Sequence, residues 1–142
     1  MSSSNRNQQI GPPKFSIAVH ILVWLAKSGS LLSSASIACQ VNSHATFLRR
    51  VLALLSQADL VEAREGRDGG YSLKRPASEI TLGDVYMAVR TEMLESADAS
   101  VECGNKGSEK LDRTLEAIMA EAERVTVETL KNYTIAQLMN DL

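Results

Sequence analysis

Two short stretches of this 142-residue chain carry side chains suited to binding a polyanion. The first is the pair Arg49-Arg50, which lies within an apolar run of helical spacing. The second is a glycine-rich stretch at residues 65–73, which contains Arg67. Guanidinium groups bond strongly to phosphate and pair with the guanine edge, so both stretches are candidate DNA contacts. The alternative for each is an arginine on an ordinary solvated surface.

Other reactive side chains are few. His20 and His44 have explanations in helix packing or DNA contact, and no phosphate loop or dinucleotide fingerprint occurs. We therefore expect no catalytic activity and no metal site. Cys103 could be a redox sensor if a helix start lowers the pKa of its thiol, or it could be a tolerated lone thiol. With Cys39 as the other cysteine, a structural disulfide is not expected.

Charge is distributed unevenly along the chain. Residues 1–90 hold ten Lys and Arg against six Asp and Glu, whereas residues 91–142 hold five against eleven. The first part could therefore approach a polyanion, and the second could not. The chain shows no basic leader before an apolar run and no apolar stretch near the roughly 20 residues of a membrane span. These features predict a soluble cytoplasmic protein that does not contact a membrane.

The glycine-rich stretch lies between two runs, residues 60–64 and 71–74, that alternate partly between apolar and polar. Its three glycines permit the positive φ angles of a tight connection, so the pattern predicts a two-stranded hairpin. Arg67 at the tip would suit the minor groove, and Arg64 and Lys74 would suit phosphate. The other possibility is a surface hairpin with incidental cations.

Three helical patterns precede this hairpin. Residues 14–28 are apolar nearly all round, which predicts a buried helix, and shorter helices follow near residues 35–41 and 44–58. Two short helices separated by a turn and followed by a hairpin are typical of a winged helix-turn-helix, whose second short helix enters the major groove. The outward face of that recognition helix is predicted to hold His44, Thr46, Arg49, Arg50 and Ala53.

The C-terminal part has a different pattern. Thr81 and Asp84 predict a capped helix, residues 91–107 lose periodicity and predict a loop, and a long helix follows from about residue 108 to 133. The apolar residues of the long helix recur at spacings of 4 and 3, typical of a helix packed along another helix. So small a domain cannot cover it, which predicts a dimer. The predicted dimer contacts are Leu111, Leu115, Ile118, Ala122 and Val125.

In this order the motifs resemble the Rrf2 family of bacterial winged-helix regulators. The likeness rests on FLRRVLALL at residues 47–55, LV at 60–61, RDGGYSL at 67–73 and EITLGDV at 79–85, and it covers nearly the whole chain. The resemblance implies a homodimer that binds an inverted-repeat operator, usually as a repressor. It also implies DNA contacts from the recognition helix and wing, which in this chain are Ser43, His44, Thr46, Arg49 and Arg67.

The chain departs from the family pattern at two places. Cluster-binding members carry three closely spaced cysteines in the loop before the long helix, because an iron–sulfur cluster needs several thiolate ligands. Only Cys103 stands in that loop here, so we expect no cluster, and the loop looks closer to the single-cysteine, YwnA-like subgroup. Asp59 stands where the family commonly has glycine, a change expected to affect the turn before the wing.

These features predict a mainly α fold with a two-stranded wing and a long C-terminal dimerisation helix. The expected divisions are a flexible arm at 1–13, the winged helix-turn-helix at 14–90, a loop at 91–107, and the dimerisation helix with a closing segment at 108–142. We expect a sequence-specific repressor that binds double-stranded DNA as a homodimer and responds to an unidentified small-molecule or redox inducer. The alternative is a winged-helix protein-interaction module that does not bind DNA.

Overall fold

A computed structural model describes residues 13–96 and 106–141. Its regular elements are α1 (Pro13–Ser28), α2 (Ser34–Val41), α3 (Ala45–Gln57), β1 (Val61–Arg64), β2 (Gly70–Leu73), α4 (Leu82–Ser96), α5 (Lys106–Leu130) and α6 (Ile135–Leu138). Short 3-10 turns precede α4 and follow α6. Within the described ranges, no helix is both long and apolar enough to cross a membrane. The predicted winged helix-turn-helix with a two-stranded wing is confirmed.

The hydrophobic core is arranged around α1, which packs against α2, α3, α4, α6 and β2. Ala18, Ile21 and Leu22 of this helix are completely buried, which explains why its sequence is apolar nearly all round. Gly29 ends the helix with a φ of +66°, a conformation that favours glycine. The core therefore fixes the two short helices and the hairpin relative to one another.

The turn between α3 and β1 has the geometry that a glycine usually adopts. Asp59 has a φ of +62°, its N–H donates to the Ser56 carbonyl at 3.0 Å, and the Leu60 N–H donates to the Leu55 carbonyl at 3.0 Å. This pair of bonds is a Schellman motif, and aspartate is among the residues that tolerate the left-handed conformation. Asp59 therefore leaves the backbone geometry of this turn as glycine would have it, and an effect on the stability of the turn stays a prediction.

The wing, which comprises β1, β2 and the connecting residues 65–69, is attached to the loop after α1. Its strands are antiparallel from Val61 opposite Leu73 to Arg64 opposite Gly70. Leu32 extends the sheet by one residue, because it exchanges backbone hydrogen bonds of 3.0 and 2.8 Å with Tyr71. The hairpin is therefore fixed at its base by a contact that its own sequence does not reveal.

The three wing glycines serve two different purposes. Gly66 has a φ of +111°, as the sequence predicts for a tight connection. Gly69 and Gly70 are instead required by close packing: a Cβ on Gly69 would collide with the Arg64 carbonyl, and one on Gly70 would lie 2.7 Å from the Leu32 carbonyl oxygen. The prediction of positive φ is thus confirmed for Gly66 alone of these three.

Three predicted boundaries are wrong. α4 continues to Ser96 and α5 begins at Lys106, so both ends of the range 91–107 are helical where a loop was predicted. Residues 91–96 contain Glu, Met and Leu, which favour helix even without a clear period. Pro13, placed in the flexible arm by the sequence, is the first residue of α1. Residues 1–12 of that arm and 97–105 of the loop lie outside the described residues.

The closing segment returns to the winged-helix core. The Ile135 N–H donates to the Ile80 carbonyl and the Leu82 N–H donates to the Tyr133 carbonyl, each at 2.9 Å. Ile135 is completely buried, and the side chain of Thr134 caps α6. The end of α5 is therefore joined to the start of α4.

Candidate nucleic-acid interface

The outer face of α3 carries the first group of candidate DNA contacts. Leu48, Val51, Leu52 and Leu55 are completely buried on its inner face. Thr46, Arg49, Arg50 and Ala53 are exposed, and their spacing of 3, 1 and 3 places them together on one side of the helix. The predicted outward face is therefore confirmed, and the structure brings Thr46, Arg49 and Arg50 together on a helix whose other face is buried in the core.

Ser43 and His44 lie in the tight turn that leads into α3. Asn42 ends α2 in the left-handed conformation, and the Ser43 N–H donates to the Ala38 carbonyl at 3.2 Å. His44 is the N-cap of α3, and its carbonyl accepts from the Leu48 N–H at 2.9 Å. The exposed imidazole of His44 does not cap the helix through a hydrogen bond. Both residues therefore stand at the end of α3 that approaches bases in helix-turn-helix proteins.

The wing carries the second group of candidate contacts. Arg64, at the end of β1, and Arg67, in the connecting turn, are both exposed. The pairing of Arg64 with Gly70 fixes the base of that turn, and Gly69 closes it with an N–H bond of 3.1 Å to the Gly66 carbonyl. The backbone therefore holds the position from which Arg67 projects.

Lys74 differs from the other candidates because it is already paired. Its Nζ lies 3.1 Å from Oδ1 of Asp59, the residue in the turn after α3. Side-chain exposures of 48% and 72% make this a surface pair, which contributes little to stability and which a phosphate could displace. Lys74 therefore lies beside the end of α3, and its charge is partly balanced by Asp59.

The five predicted dimer contacts form one exposed stripe along α5. Leu111, Leu115, Ile118 and Val125 are 59%, 49%, 57% and 49% exposed, and Ala122 is exposed as well. We refer to these five residues as the α5 stripe. Met119, 65% exposed, borders the stripe. The sequence prediction missed Met119, although its position four residues after Leu115 was a usable signal. Such a row of exposed apolar side chains indicates an interaction surface.

A different face of α5 packs against α4. Its partly covered residues Glu123, Val127 and Leu130 lie roughly a third of a turn from the stripe. Glu123 accepts hydrogen bonds from Arg90 Nε and, at 3.4 Å, from the Tyr86 hydroxyl. Burial, together with the Glu123 carboxylate, raises the pKa of Tyr86 above its usual range. The intramolecular contact thus leaves the α5 stripe uncovered.

The third face of α5 is a polar surface whose charges pair with one another. Arg124 bonds to Glu121 three residues before it and, at 3.0 Å, to Glu128 four residues after it. The hydrogen bond to Arg124 lowers the pKa of the Glu121 carboxyl. Since these charges face solvent, the α5 stripe is the side suited to a second helix.

One of the two cysteines, Cys39, falls within the described part of the chain. Cys39 is an exposed free thiol on α2, and Cys103 lies outside the described residues. In residues 13–96 and 106–141, no group of three or more His, Cys, Asp and Glu side chains could hold a metal ion. The redox role suggested for Cys103 therefore stays a prediction.

Comparison with known proteins extends these observations. The family described as Rrf2, iron-dependent transcriptional regulator, matches residues 13–141. Protein aau3 of Rhizobium meliloti is 36% identical over 127 residues, covering 86% of this chain and 79% of that protein. YwnA of Bacillus subtilis, named as an HTH-type transcriptional regulator, is 31% identical over 134 residues, covering 91% and 96%.

Solved structures show the same fold. T. potens IscR superposes with a TM-score of 0.65 at 21% identity, covering 94% of this chain and 88% of that chain. CymR, the global cysteine regulator of B. subtilis, gives 0.65 at 23% identity, covering 95% and 99%. At these identities the likeness concerns the architecture, including a wing next to a helix-turn-helix.

Proposed function

We propose that this chain, which belongs to the Rrf2 family of transcriptional regulators, is a homodimeric repressor that binds an inverted-repeat operator. The observation that carries the proposal is the exposed arginine face of α3 on a helix whose other face is buried. A rigid helix with cations and a hydroxyl on its outer side suits the major groove, where arginine pairs with guanine.

The recognition helix and the wing have different tasks in this proposal. Arg49 and Arg50, with Thr46 and His44 at the helix start, read base edges or hold the adjacent phosphates. Arg67 projects from the wing toward the minor groove or the backbone beside it, and Arg64 contacts phosphate. Phosphate contacts supply affinity that depends on salt, and base contacts supply specificity.

The proposed homodimer forms through the α5 stripe. Two copies of one helix that share an apolar stripe pack in a self-complementary way around a two-fold axis. Two-fold symmetry places the recognition helices so that each meets one half of an inverted repeat. Occupation of such an operator within a promoter would block transcription, which is the basis for proposing a repressor.

The proposed regulation does not use an iron–sulfur cluster, although the family description mentions iron. A cluster held by one chain needs several thiolate ligands close together. The sequence contains two cysteines, and Cys39, the one within the described residues, is exposed on α2. This donor set does not fit a cluster held by one chain.

The experiment compares operator binding by wild type and by Arg49→Ala and Arg67→Ala variants. DNA selected by binding from a random pool supplies the operator, and fluorescence anisotropy at several salt concentrations gives the affinity. Loss of a base contact should cost about 1–3 kcal/mol and loss of a phosphate contact should reduce the salt slope by about one. Arg113→Ala, which removes an exposed arginine of α5, is the matched control.

The outcome also separates DNA binding from the alternative of a protein-interaction module. Unchanged operator affinity in the Arg49 and Arg67 double variant, with circular dichroism of the folded protein retained, would show that the assigned contacts are wrong. Failure of wild type to select any DNA, or affinity that does not fall with salt, would favour the protein-interaction module.

A further inference from the structure

A cleft of about 380 Å³ lies between the end of α3, the first turns of α4, and Arg75, which follows β2 and Lys74 in the chain. It is lined by the following residues: Leu54, Gln57, Ala58, Leu60, Arg75, Asp84, Met87 and Ala88. Three of these, Leu54, Gln57 and Ala58, belong to the last turn and the C-cap of the recognition helix. A molecule in this cleft would therefore touch the element proposed to read DNA.

Arg75 is the cation of this cleft. Its Nε is shielded from solvent and, among the residues that the structure describes, has no hydrogen-bond partner. Guanidinium groups in proteins are normally satisfied by carboxylate, phosphate or carbonyl oxygens, because a desolvated donor without a partner is costly. Arg75 is only partly buried and lines the cleft, so it is the cation that an anion entering the cleft would meet.

The remaining lining restricts what kind of anion fits. The lining is polar for the most part, and Leu54, Met87 and Ala88 supply its apolar portion, which leaves room for a ligand with a short hydrocarbon part. Asp84 also lines the cleft, although one of its oxygens already accepts the Thr81 N–H at 3.1 Å. A neighbouring carboxylate disfavours a ligand with two negative charges more than a ligand with one. This combination favours a small organic acid with a single carboxylate over free phosphate.

We propose that this cleft is an effector site for a small aliphatic monocarboxylate, whose carboxylate pairs with Arg75 and whose hydrocarbon part packs on Leu54, Met87 and Ala88. Binding of the carboxylate rests on the cleft alone. Its regulatory effect rests on the proposed function, because the ligand contacts the end of the recognition helix and thereby changes operator affinity.

The first test measures binding to the full chain without DNA. The probe is isovalerate, a branched monocarboxylate, and its binding is measured by isothermal titration calorimetry at millimolar concentration. The two comparison ligands are 3-methyl-1-butanol, which lacks the charge, and inorganic phosphate, which lacks the hydrocarbon part. We expect isovalerate to bind at least about tenfold more tightly than the alcohol, as expected for one charged hydrogen-bonding partner. Absence of isovalerate binding, equal binding of the alcohol, or tighter binding of phosphate would each overturn the assignment.

Variants then locate the site. Arg75→Gln should weaken isovalerate binding by about tenfold or more, and Arg75→Lys should restore it in part, because lysine keeps the charge but not the planar fork. Arg113→Gln is the control for removal of a surface arginine. Met87 is 45% exposed, so Met87→Glu and Met87→Gln should both fold, and only the glutamate should repel the ligand. Equal isovalerate affinity in the Met87 pair, or an unaffected Arg75→Gln variant, would overturn the site.

The second test measures coupling to DNA. Saturating isovalerate should change the operator dissociation constant by about fivefold or more, and operator should change the isovalerate dissociation constant by the same factor. Isovalerate binding with unchanged operator affinity would overturn the regulatory part of the proposal and leave DNA binding intact. Failure to bind any DNA, with isovalerate binding retained, would instead refute the proposed function and leave the ligand site standing.

Discussion

Replacement of Leu115 and Ile118 by aspartate should convert the protein into a monomer. Both residues belong to the α5 stripe and are 49% and 57% exposed in the single chain. Neither packs into the core of the winged-helix domain, so the change should leave the fold in place. The perturbation therefore acts on the proposed contact between two copies of α5.

The size of the effect follows from the exposed fractions. Full burial of a leucine or isoleucine side chain contributes roughly 1.5–3 kcal/mol, so covering the half that remains exposed contributes about 1 kcal/mol. Each of these two residues occurs twice in a two-fold interface, so together they contribute about 4 kcal/mol to the free energy of dimerisation. At 1.4 kcal/mol per factor of ten, the dissociation constant should rise about a thousandfold. Carboxylates facing each other across the interface would add to this.

Sedimentation velocity over a series of protein concentrations measures the dissociation constant directly. Ala117→Asp is the matched control, because it adds the same charge on the polar side of α5, away from the stripe. The control should remain a dimer, and circular dichroism should show equal helix content in all variants. A Leu115 and Ile118 double variant that dimerises like wild type would show that the α5 stripe is not the interface.

Three further predictions concern the wing, the turn after α3 and the α4–α5 contact. Gly70→Ala should lower the free energy of unfolding by about 1–3 kcal/mol in urea denaturation, because its Cβ would lie 2.7 Å from the Leu32 carbonyl oxygen; wild-type stability would refute the close packing. Asp59→Gly should raise that free energy by about 0.5–1 kcal/mol, since glycine adopts a φ of +62° without strain; a lower midpoint would contradict this. Burial and Glu123 raise the pKa of Tyr86, so the protonated hydroxyl stabilises the folded state. This stabilisation is fully present below the ordinary tyrosine pKa of 10.0 and is lost as the pH rises through the folded-state pKa. Denaturation across alkaline pH should therefore show a smaller loss of stability in Tyr86→Phe than in wild type, and identical curves would refute it.

Periodic features of this protein were predictable from its sequence. The inner face of α3 and the spacing of the α5 stripe each repeat within one helix, so local pattern is sufficient. The capping box of Thr81 and Asp84 is not periodic, but both of its residues lie within four positions of each other and can be recognised locally. The order of these elements along the chain then predicts the winged helix-turn-helix fold. The extension of α4 to Ser96 was missed because helix propensity without periodicity is a weak signal.

Features that depend on distant pairs were not predictable. The Leu32 contact to the wing joins single residues far apart in sequence and has no periodic signature. Lys74 was predicted to contact phosphate, and only the folded turn shows that Asp59 lies beside it. The cleft around Arg75 likewise draws its lining from α3, α4 and the segments on either side of the wing, which become neighbours on folding.

The backbone bridge between Thr81 and Thr134 has a mechanical consequence for operator choice. It holds the C-terminal end of α5 against the start of α4, so this joint, together with the packing of α5 on α4, sets the direction in which α5 leaves the winged-helix domain. In the proposed dimer, a change of a few degrees in this direction would shift the recognition helix of one subunit relative to that of the other. The shift would grow with the length of α5 between the joint and the dimer contact. Substitutions near Thr81 or Thr134 would therefore change the preferred spacing between operator half-sites without changing any of the DNA-contacting arginines.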